Sequence, residues 1–320
     1  MMRILLSMVL AASATALAQA SAYPDKAVRI VVGFPAGGPT DIVARMFGDR
    51  AGQAMHQPFV VENKPGANSI IATEAVASSK ADGYTLLAAA QNHVMIPALY
   101  ADRVKFDVAK SFAPICIVAK SPTVLVVSPK LGVKTLSEFL RMVREKPGAY
   151  TYASVGIGSA VHLATEELLD ITKMSMTHVP YKGAAPASTA LLAGEVDAYL
   201  ATVGSVLSQI KAGRLVALAV AASERSRLVP DVPTFAEEGV AGFRAEVWYG
   251  LLAPAGTPDA IVRALESEAE GFVKDPGMRD RLVVAGLEPA ATCGAAFAGQ
   301  IAREIATYSR VARTLNIKVE

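Results

Sequence analysis

The segment VRIVVGFPAGGPTD, residues Val28–Asp41, decides the fold predicted from this sequence. It opens with a nearly unbroken β-branched run, which is typical of a strand buried on both faces of a parallel sheet. A turn rich in glycine and proline follows. An apolar helical pattern then begins at Ile42, with Thr40 or Asp41 placed to cap the helix. Such a turn predicts free main-chain N–H groups and a positive helix end, which favour an anion. The alternative is a strand–helix turn that binds nothing.

The composition is that of an apolar, folded chain. Its 320 residues suggest two domains, and 52% of them are hydrophobic against 19% charged. The net charge of +2, without a long basic run or zinc-finger spacing, argues against nucleic-acid binding. The four histidines lack metal-ligand spacing, and the glycine-rich turns do not fit the dinucleotide pattern. We therefore predict neither a metal nor a cofactor.

Residues 1–22 are predicted to be a cleaved secretory signal peptide. An arginine precedes the apolar stretch 4–17, and small residues allow cleavage after Ala20 or Ala22. The alternative is a retained anchor helix, although the stretch is short for a membrane span. The mature chain would therefore be exported to an oxidising compartment. There Cys116 and Cys293 form either one disulfide or two separate buried thiols.

The opening pattern occurs twice along the chain. Strands at Phe59–Glu62 and Tyr84–Ala90, with a helix over 68–79 between them, complete a first unit with a parallel sheet. A second unit begins with a strand at Tyr150–Ser154 and a glycine-rich turn at Val155–Ser159. The sequence therefore predicts two similar α/β units that face one another.

The segments that connect the two units are predicted to be strands. We expect two of them, Phe112–Val118 and Thr123–Ser128, separated by a break at residues 120–122. Ala245–Pro254 is predicted to be a crossover strand, and residues 231–234 to lead into a short helix. Further strands are predicted at His178–Tyr181, Asp197–Thr202 and Leu215–Ala221, and the C-terminal part of the chain, after Pro254, is predicted to be helical.

Eight polar side chains lie at predicted strand ends or helix starts, where open α/β sheets bind ligands. They are Thr40, Asn92, His93, Ser154, Ser159, His162, Tyr181 and Lys182. Each has a structural alternative, because Thr40 and Ser159 also suit helix caps and buried histidines are often structural. Asp41 would repel an anion, so we expect it to cap the helix, to hold the turn, or to meet an amine or water of the ligand.

An enzymatic function has weaker support in the sequence. Ser159 and His162 are three residues apart on a predicted helix and share one face. A nucleophile–base pair also needs a carboxylate behind it, and none is indicated nearby. The nucleophile-elbow pattern of α/β-hydrolases does not occur.

Seven motifs occur in order across the mature chain. They are Tyr23–Asp41, Val60–Asn68, Ala81–Leu87, Asn92–Tyr100, Val179–Asp197, Asp231–Phe243 and Trp248–Pro258. With these motifs the chain resembles the periplasmic solute receptors of tripartite tricarboxylate transporters, the Bug family.

The resemblance implies an α/β fold in the form of a two-domain periplasmic-binding-protein clamshell of type II-like topology. Each domain would be a mainly parallel sheet flanked by helices. Domain 1 would comprise residues 23–123 and 247–320, and domain 2 residues 124–246. The protein would be a monomer that captures a small organic anion and delivers it to the membrane subunits of the transporter. A secreted enzyme acting on a small carboxylate, or a ligand-sensing partner of a membrane receptor, are the alternatives.

The resemblance also implies that main-chain amides and ordered water hold the ligand carboxylate. The contacts would come from the turns Phe34–Asp41 and Ser154–Ser159. The predicted ligand-binding residues are therefore Phe34, Ala36, Gly37, Gly38, Thr40, Asp41, Asn92, His93, Ser154, Gly156, Gly158, Ser159, His162, Tyr181, Lys182 and Asp197. Ala160–Val161 and Gln91–Met95 depart from the usual family pattern and make the pocket more apolar.

Overall fold

The computed structural model describes residues 23–314, so the predicted signal peptide lies outside the described residues. The strands within this range are β1 (Val28–Val32), β2 (Phe59–Asn63), β3 (Thr85–Ala90), β4 (Phe112–Val127), β5 (Thr151–Ser154), β6 (Thr177–Pro180), β7 (Ala198–Thr202), β8 (Val216–Val220), β9 (Glu246–Pro254) and β10 (Glu288–Cys293). The helices are α1 (Pro39–Met55), α2 (Ile70–Ala77), α3 (Ile96–Tyr100), α4 (Leu136–Glu145), α5 (Ala160–Thr172), α6 (Ala184–Ala193), α7 (Val203–Lys211), α8 (Asp259–Lys274), α9 (Pro276–Val284) and α10 (Gly294–Thr314).

The first half of the molecule is built on the predicted parallel unit. Strand β1 lies between β2 and β3 and runs parallel to both, which confirms the strand–helix–strand pattern. Strand β9 pairs antiparallel with β3, and β4 then lies between β9 and β10. Val28, Ile30 and Val32 of β1 are fully buried, because helices cover the sheet.

The second half repeats this arrangement. Strand β5 lies between β6 and β7 and runs parallel to both, as the second unit predicted. The last part of β4 joins this sheet antiparallel, between β7 and β8. Each half thus has the predicted parallel strands on one side and antiparallel strands where the two halves meet.

Strand β4 corrects one prediction. Instead of two strands broken at residues 120–122, Phe112–Val127 is one strand that passes from the first sheet into the second. Pro122 pairs with Glu246 at the end of the β9 ladder, and from Thr123 onward the partners are β7 and β8. Proline has no N–H to donate, so it is tolerated where the strand changes partners.

Other differences arise at element ends. Helix α1 begins at Pro39 with Gly38 as its N-cap, so neither Thr40 nor Asp41 caps it. Helix α2 begins later than predicted because residues 67–69 have positive φ angles. Residues 231–234 enter a turn rather than a helix. Strand β10 was not predicted at all.

The two cysteines are joined across β10 and β4. Cys293 lies opposite Cys116 in the antiparallel register, and the two form a disulfide. Of the alternatives that the sequence left open, the structure therefore has the disulfide. No helix within residues 23–314 combines the length and apolar character that a membrane span requires.

Candidate ligand-binding site

A cavity of about 60 Å³ lies between the two halves, where the β1–α1 loop faces the β5–α5 loop. It is lined by Phe34, Pro35, Gly38, Pro39, Thr40, Ala90, Asn92, Val155, Ser159, Ala160, Val161, Ala184, Ala185, Tyr199, Thr202, Val247 and Tyr249. None of these lining residues carries a formal charge. Any charge on a ligand must therefore be matched by main-chain dipoles and neutral donors.

The N-termini of three helices contribute to this cavity wall. Helix α1 begins at Pro39 after Gly38, helix α5 begins at Ala160 after Ser159, and helix α6 begins at Ala184. The first N–H groups of a helix have no partner within the helix, and the helix dipole makes that end positive. Three such ends around one uncharged cavity form a site for an anion.

Asp41 holds the β1–α1 loop. Its carboxylate accepts hydrogen bonds from the Gly37 main-chain N–H at 3.0 Å, from Arg45 Nε at 3.0 Å and from Asn63 Nδ2 at 2.8 Å. Burial opposes its ionisation, but these hydrogen bonds and the Arg45 charge outweigh burial and lower the pKa of the carboxyl. Gly37 has a φ of +85°, a conformation that glycine adopts without strain. Asp41 therefore fixes the turn, which is one of the roles predicted for it.

Two stacked histidines hold the β5–α5 loop. The imidazoles of His162 and His178 lie 4.0 Å apart between ring centroids. His162 Nδ1 accepts a hydrogen bond from the Gly158 N–H at 3.0 Å, and Ser154 Oγ lies 2.6 Å from His178 Nε2. Burial lowers the pKa of His162 to about 3, with a contribution from His178, and burial lowers the pKa of His178 to about 4. Both rings are therefore neutral at pH 7, and His162 Nδ1 can accept the hydrogen bond that the Gly158 N–H donates.

Two hydrogen bonds close the halves over the cavity. Asn68 Nδ2 in the first half donates to the Gly158 carbonyl oxygen over 3.0 Å. The Tyr100 hydroxyl, also in the first half, donates to the Ile157 carbonyl oxygen over 2.8 Å. A groove of about 480 Å³ lies beside this contact and meets the cavity at Phe34. In this arrangement, called closed below, the two halves are in direct contact beside the groove.

Fourteen of the predicted site residues separate into four groups by position. Five line the cavity, namely Phe34, Gly38, Thr40, Asn92 and Ser159. Three line the adjacent groove, namely Gly156, Tyr181 and Lys182. Ala36 and Gly37 are exposed in the β1–α1 loop, while Asp41, Ser154, Gly158 and His162 support the two loops. Their contacts with a ligand remain predictions.

Two predicted residues lie away from the cavity. His93 is 2% exposed and packs edge-on against Phe112, with ring centroids 5.1 Å apart. Asp197 precedes β7, where its carboxylate accepts hydrogen bonds from the main-chain N–H and hydroxyl of Thr151. Thr151 begins β5, whereas the cavity lies beyond the carboxyl ends of the parallel strands β5 and β7. Asp197 is therefore at the opposite edge of the sheet from the cavity. Asp197 therefore aligns two strands, which corrects its assignment to the ligand site.

Twelve of the lining residues are absent from the predicted set. Six of these, Pro35, Pro39, Ala90, Val155, Ala160 and Val161, lie in or next to predicted turns or strand ends, and the other six are Ala184, Ala185, Tyr199, Thr202, Val247 and Tyr249. Ala184 and Ala185 begin α6 directly after Gly183, so the helix-end argument made for the other two turns would have included them. Tyr199 and Thr202 lie in strand β7, and Val247 and Tyr249 lie in strand β9. Their facing toward the cavity depends on sheet register, which the sequence alone does not give.

The arrangement of Ser159 and His162 does not resemble a nucleophile and its base. Ser159 Oγ accepts the main-chain N–H of His162 as the N-cap of α5. The His162 ring uses Nδ1 to accept from Gly158, and its Nε2 lies 3.9 Å from Glu166. Both side chains thus order the loop, whereas a base must accept a proton from the serine hydroxyl.

The fold and this site define a two-lobed solute-binding protein. The family model described as "Tripartite tricarboxylate transporter family receptor" matches residues 43–317. Protein BugT of Bordetella pertussis is 33% identical over 302 residues, which cover 94% of this chain and 93% of BugT. The chain belongs to the tripartite tricarboxylate transporter receptors, the Bug family.

Solved structures support the same assignment. The structure described as "R. palustris Rpa4515 with adipate" is 31% identical and has a TM-score of 0.89, with 92% of this chain and 99% of that chain covered. The structure described as "Structure of periplasmic binding protein BugD" is 30% identical and has a TM-score of 0.87, with 93% of this chain and all of that chain covered. The resemblance found in the sequence is therefore confirmed.

Proposed function

We propose that this chain is a periplasmic receptor that captures a small organic carboxylate between its two halves. One observation carries the proposal, namely that the N-termini of α1, α5 and α6 contribute to one cavity without a charged lining residue. In the closed arrangement a carboxylate there receives charge-assisted hydrogen bonds from main-chain N–H groups. The similar Rpa4515 structure with adipate supports this ligand class.

The proposal includes delivery to the membrane subunits of a tripartite tricarboxylate transporter, and it treats the chain as a monomeric receptor rather than an enzyme. Residues 1–22 are removed on export, after Ala20 or Ala22, and the mature protein acts in the periplasm. Family membership supports a receptor role in this transporter and action in the periplasm. The halves act as domains of residues 23–123 with 247–320, and 124–246. The support for these boundaries is that β4 changes sheets after Pro122 and the β9 ladder ends at Glu246.

A thermal-shift screen of the mature protein, residues 23–320, tests the function. The panel consists of straight-chain, hydroxylated, aromatic and amino carboxylic acids, with the corresponding uncharged amides as matched controls. A ligand present at about 100 times its Kd stabilises the folded state by about 2.7 kcal/mol. Stabilisation by acids and not by amides supports the proposal. Equal stabilisation by the amides, or turnover of a bound acid detected by mass spectrometry, contradicts it.

A further inference from the structure

Three consecutive residues other than glycine have positive φ angles in the loop before α2. The φ angles of Ala67, Asn68 and Ser69 are +46°, +51° and +75°. A left-handed backbone brings the Cβ of an L-residue too close to the following carbonyl oxygen, so this conformation is normally confined to single residues, mostly glycine or asparagine. Residues 67–69, called the left-handed turn below, therefore store backbone strain.

The sequence of this segment favours a negative φ. The helical pattern begins at Asn68, and Ser69 is of a residue type that commonly caps a helix N-terminus. A capping serine has an extended backbone, whereas Ser69 precedes α2 with a positive φ. Among the described residues 23–314, its side chain makes no hydrogen bond that caps the helix. The local preference and the observed conformation thus disagree, as is expected where tertiary contacts hold a functional segment.

The left-handed turn contacts both loops of the cavity. Within the first half, Asn92 Nδ2 donates to the main-chain carbonyl oxygen of Asn68 over 2.7 Å. Ser69 packs so closely on Gly33 that a Cβ added there would lie 1.8 Å from the Ser69 Oγ. From the second half, the Gly158 carbonyl oxygen accepts the hydrogen bond of Asn68 Nδ2 over 3.0 Å. Gly33 begins the β1–α1 loop and Gly158 belongs to the β5–α5 loop, so the turn joins the two.

The hydrogen bond to Gly158 depends on the handedness of the turn. The φ angle sets the direction of the Cα–Cβ bond relative to the preceding chain, so a negative φ at Asn68 would turn its side chain away from Gly158. The bond also requires that the two halves touch. It therefore forms only in the closed arrangement, where it offsets part of the strain. When the halves separate, the second half no longer holds the turn.

We propose that the left-handed turn is a conformational latch. It adopts positive φ angles when the halves close on a carboxylate, and it returns to negative φ angles, with Ser69 capping α2, when they open. This inference rests on the proposed function, because the bound carboxylate drives closure. The strain of the turn opposes closure, so it lowers the affinity and favours release of the carboxylate. Ala67 is exposed, so a substitution there changes the cost of a positive φ with little loss of packing.

Titration calorimetry of two Ala67 variants tests the latch. The probe is the acid that gives the largest thermal shift in the panel above, with adipate as the first acid of that panel. Ala67→Gly removes the cost of a positive φ and disfavours a helical alternative, so affinity should rise at least about fivefold. Ala67→Val raises that cost, because a β-branched residue tolerates a positive φ least, so affinity should fall by a similar factor.

The outcomes separate the latch from a turn that is left-handed in both states. In the latter case Ala67→Gly and Ala67→Val would move the unfolding midpoint of the acid-free protein in opposite directions and leave the affinity unchanged. Unchanged affinity in both variants therefore overturns the inference and leaves the proposed function intact. A panel in which no acid binds contradicts the proposed function, and the inference falls with it.

A control variant and a direct measurement complete the test. His56 has a φ of +55° and is exposed at the C-cap of α1, at the opposite end of that helix from the cavity. His56→Gly removes the same kind of strain and should leave the affinity unchanged. In NMR spectra a strong nuclear Overhauser effect between the N–H and Hα of one residue reports a positive φ. We expect it at Ala67 and Asn68 in the acid-saturated protein only, and its presence in the acid-free protein overturns the inference.

Discussion

The hydroxyl of Tyr100 donates a hydrogen bond to the main-chain carbonyl oxygen of Ile157 over 2.8 Å. Tyr100 ends α3 in the first half, and Ile157 lies in the β5–α5 loop of the second half. This bond therefore exists only when the halves are closed, and it holds the loop that carries Ser159. With Asn68 on the Gly158 carbonyl, it secures the closed arrangement over the cavity.

Tyr100→Phe is expected to weaken ligand binding by about two- to twelvefold, since one hydrogen bond contributes about 0.5–1.5 kcal/mol. The bond forms after the ligand has entered, so the dissociation rate should rise while the association rate stays the same. Stopped-flow fluorescence of Trp248, the single tryptophan, measures both rates. Tyr150→Phe is the matched control. A dissociation rate equal to that of the parent protein would show that the bond does not hold the closed state.

Gly38→Val is expected to lower carboxylate affinity at least about tenfold. Gly38 has a φ of −83°, and an added Cβ would meet only the Pro35 carbonyl oxygen at 3.8 Å, so the backbone tolerates a side chain. Gly38 lines the cavity, where the new methyl groups would keep the ligand from the α1 N-terminus. Calorimetry of Gly38→Ala and Gly38→Val should give a graded loss, with unfolding midpoints near that of the parent. Full affinity in the valine variant would exclude this loop as the anion site.

Asp41→Asn is expected to lower the free energy of unfolding by about 1–3 kcal/mol at pH 7. The carboxylate is 3% exposed and accepts hydrogen bonds from Gly37, Arg45 and Asn63, and an amide cannot accept all of them. Urea denaturation of both proteins measures the difference. The pKa of Asp41 is lowered in the folded state, so its stabilisation is present above the ordinary carboxyl pKa and is lost on acidification. A difference that does not shrink with acidification would contradict this role.

The disulfide between Cys116 and Cys293 is expected to contribute about 2–5 kcal/mol to stability, because it closes a long loop in the unfolded chain. Urea denaturation of Cys116→Ala/Cys293→Ala, compared with the oxidised parent protein, measures this contribution. The parent protein, denatured without reductant, should contain no free thiol. Carboxylate affinity should be unchanged, because neither residue lines the cavity. Two titratable thiols in the native protein would contradict the pairing.

Acidification should reduce stability before it affects affinity. Burial lowers the pKa of His93 and His178 to about 4, and burial together with His178 lowers the pKa of His162 to about 3. A histidine with a lowered folded-state pKa leaves stability at its full value above the unfolded pKa of about 6.5 and reduces it as pH falls. For each of these histidines, the free energy of unfolding should fall by about 1.4 kcal/mol per pH unit as the pH is lowered from about 6 to 4.

Urea denaturation across this range measures the slope. His178→Gln should make this slope shallower by the contribution of one histidine. Because the three rings stay neutral in the folded protein, carboxylate affinity should remain constant from pH 8 to about 5.5. A fall in affinity across that interval, without loss of the folded state, would contradict these pKa values.

The local pattern of the sequence determined most elements of this fold. The β-branched run at Val28–Val32 forms the expected parallel strand, because burial on both faces requires an apolar run whatever the neighbours are. Thr151–Ser154 forms the corresponding strand before the second glycine-rich turn. The glycine-rich turns and the helices that start after them could also be predicted, because the backbone freedom of glycine and the signals for a helix start are local properties of the sequence. Gly38, Thr40 and Ser159 could therefore be placed at the site from sequence.

Only the tertiary structure decided how distant segments meet. Whether Phe112–Val127 is one strand depends on partners far along the chain, and so does the pairing of Cys116 with Cys293. Tyr199 lines the cavity because of sheet register, whereas Asp197, two residues earlier on the same segment, lies at the far end of the strand. Long-range pairing is set by the packing of the whole chain, and a sequence pattern records only the local preferences that this packing must satisfy.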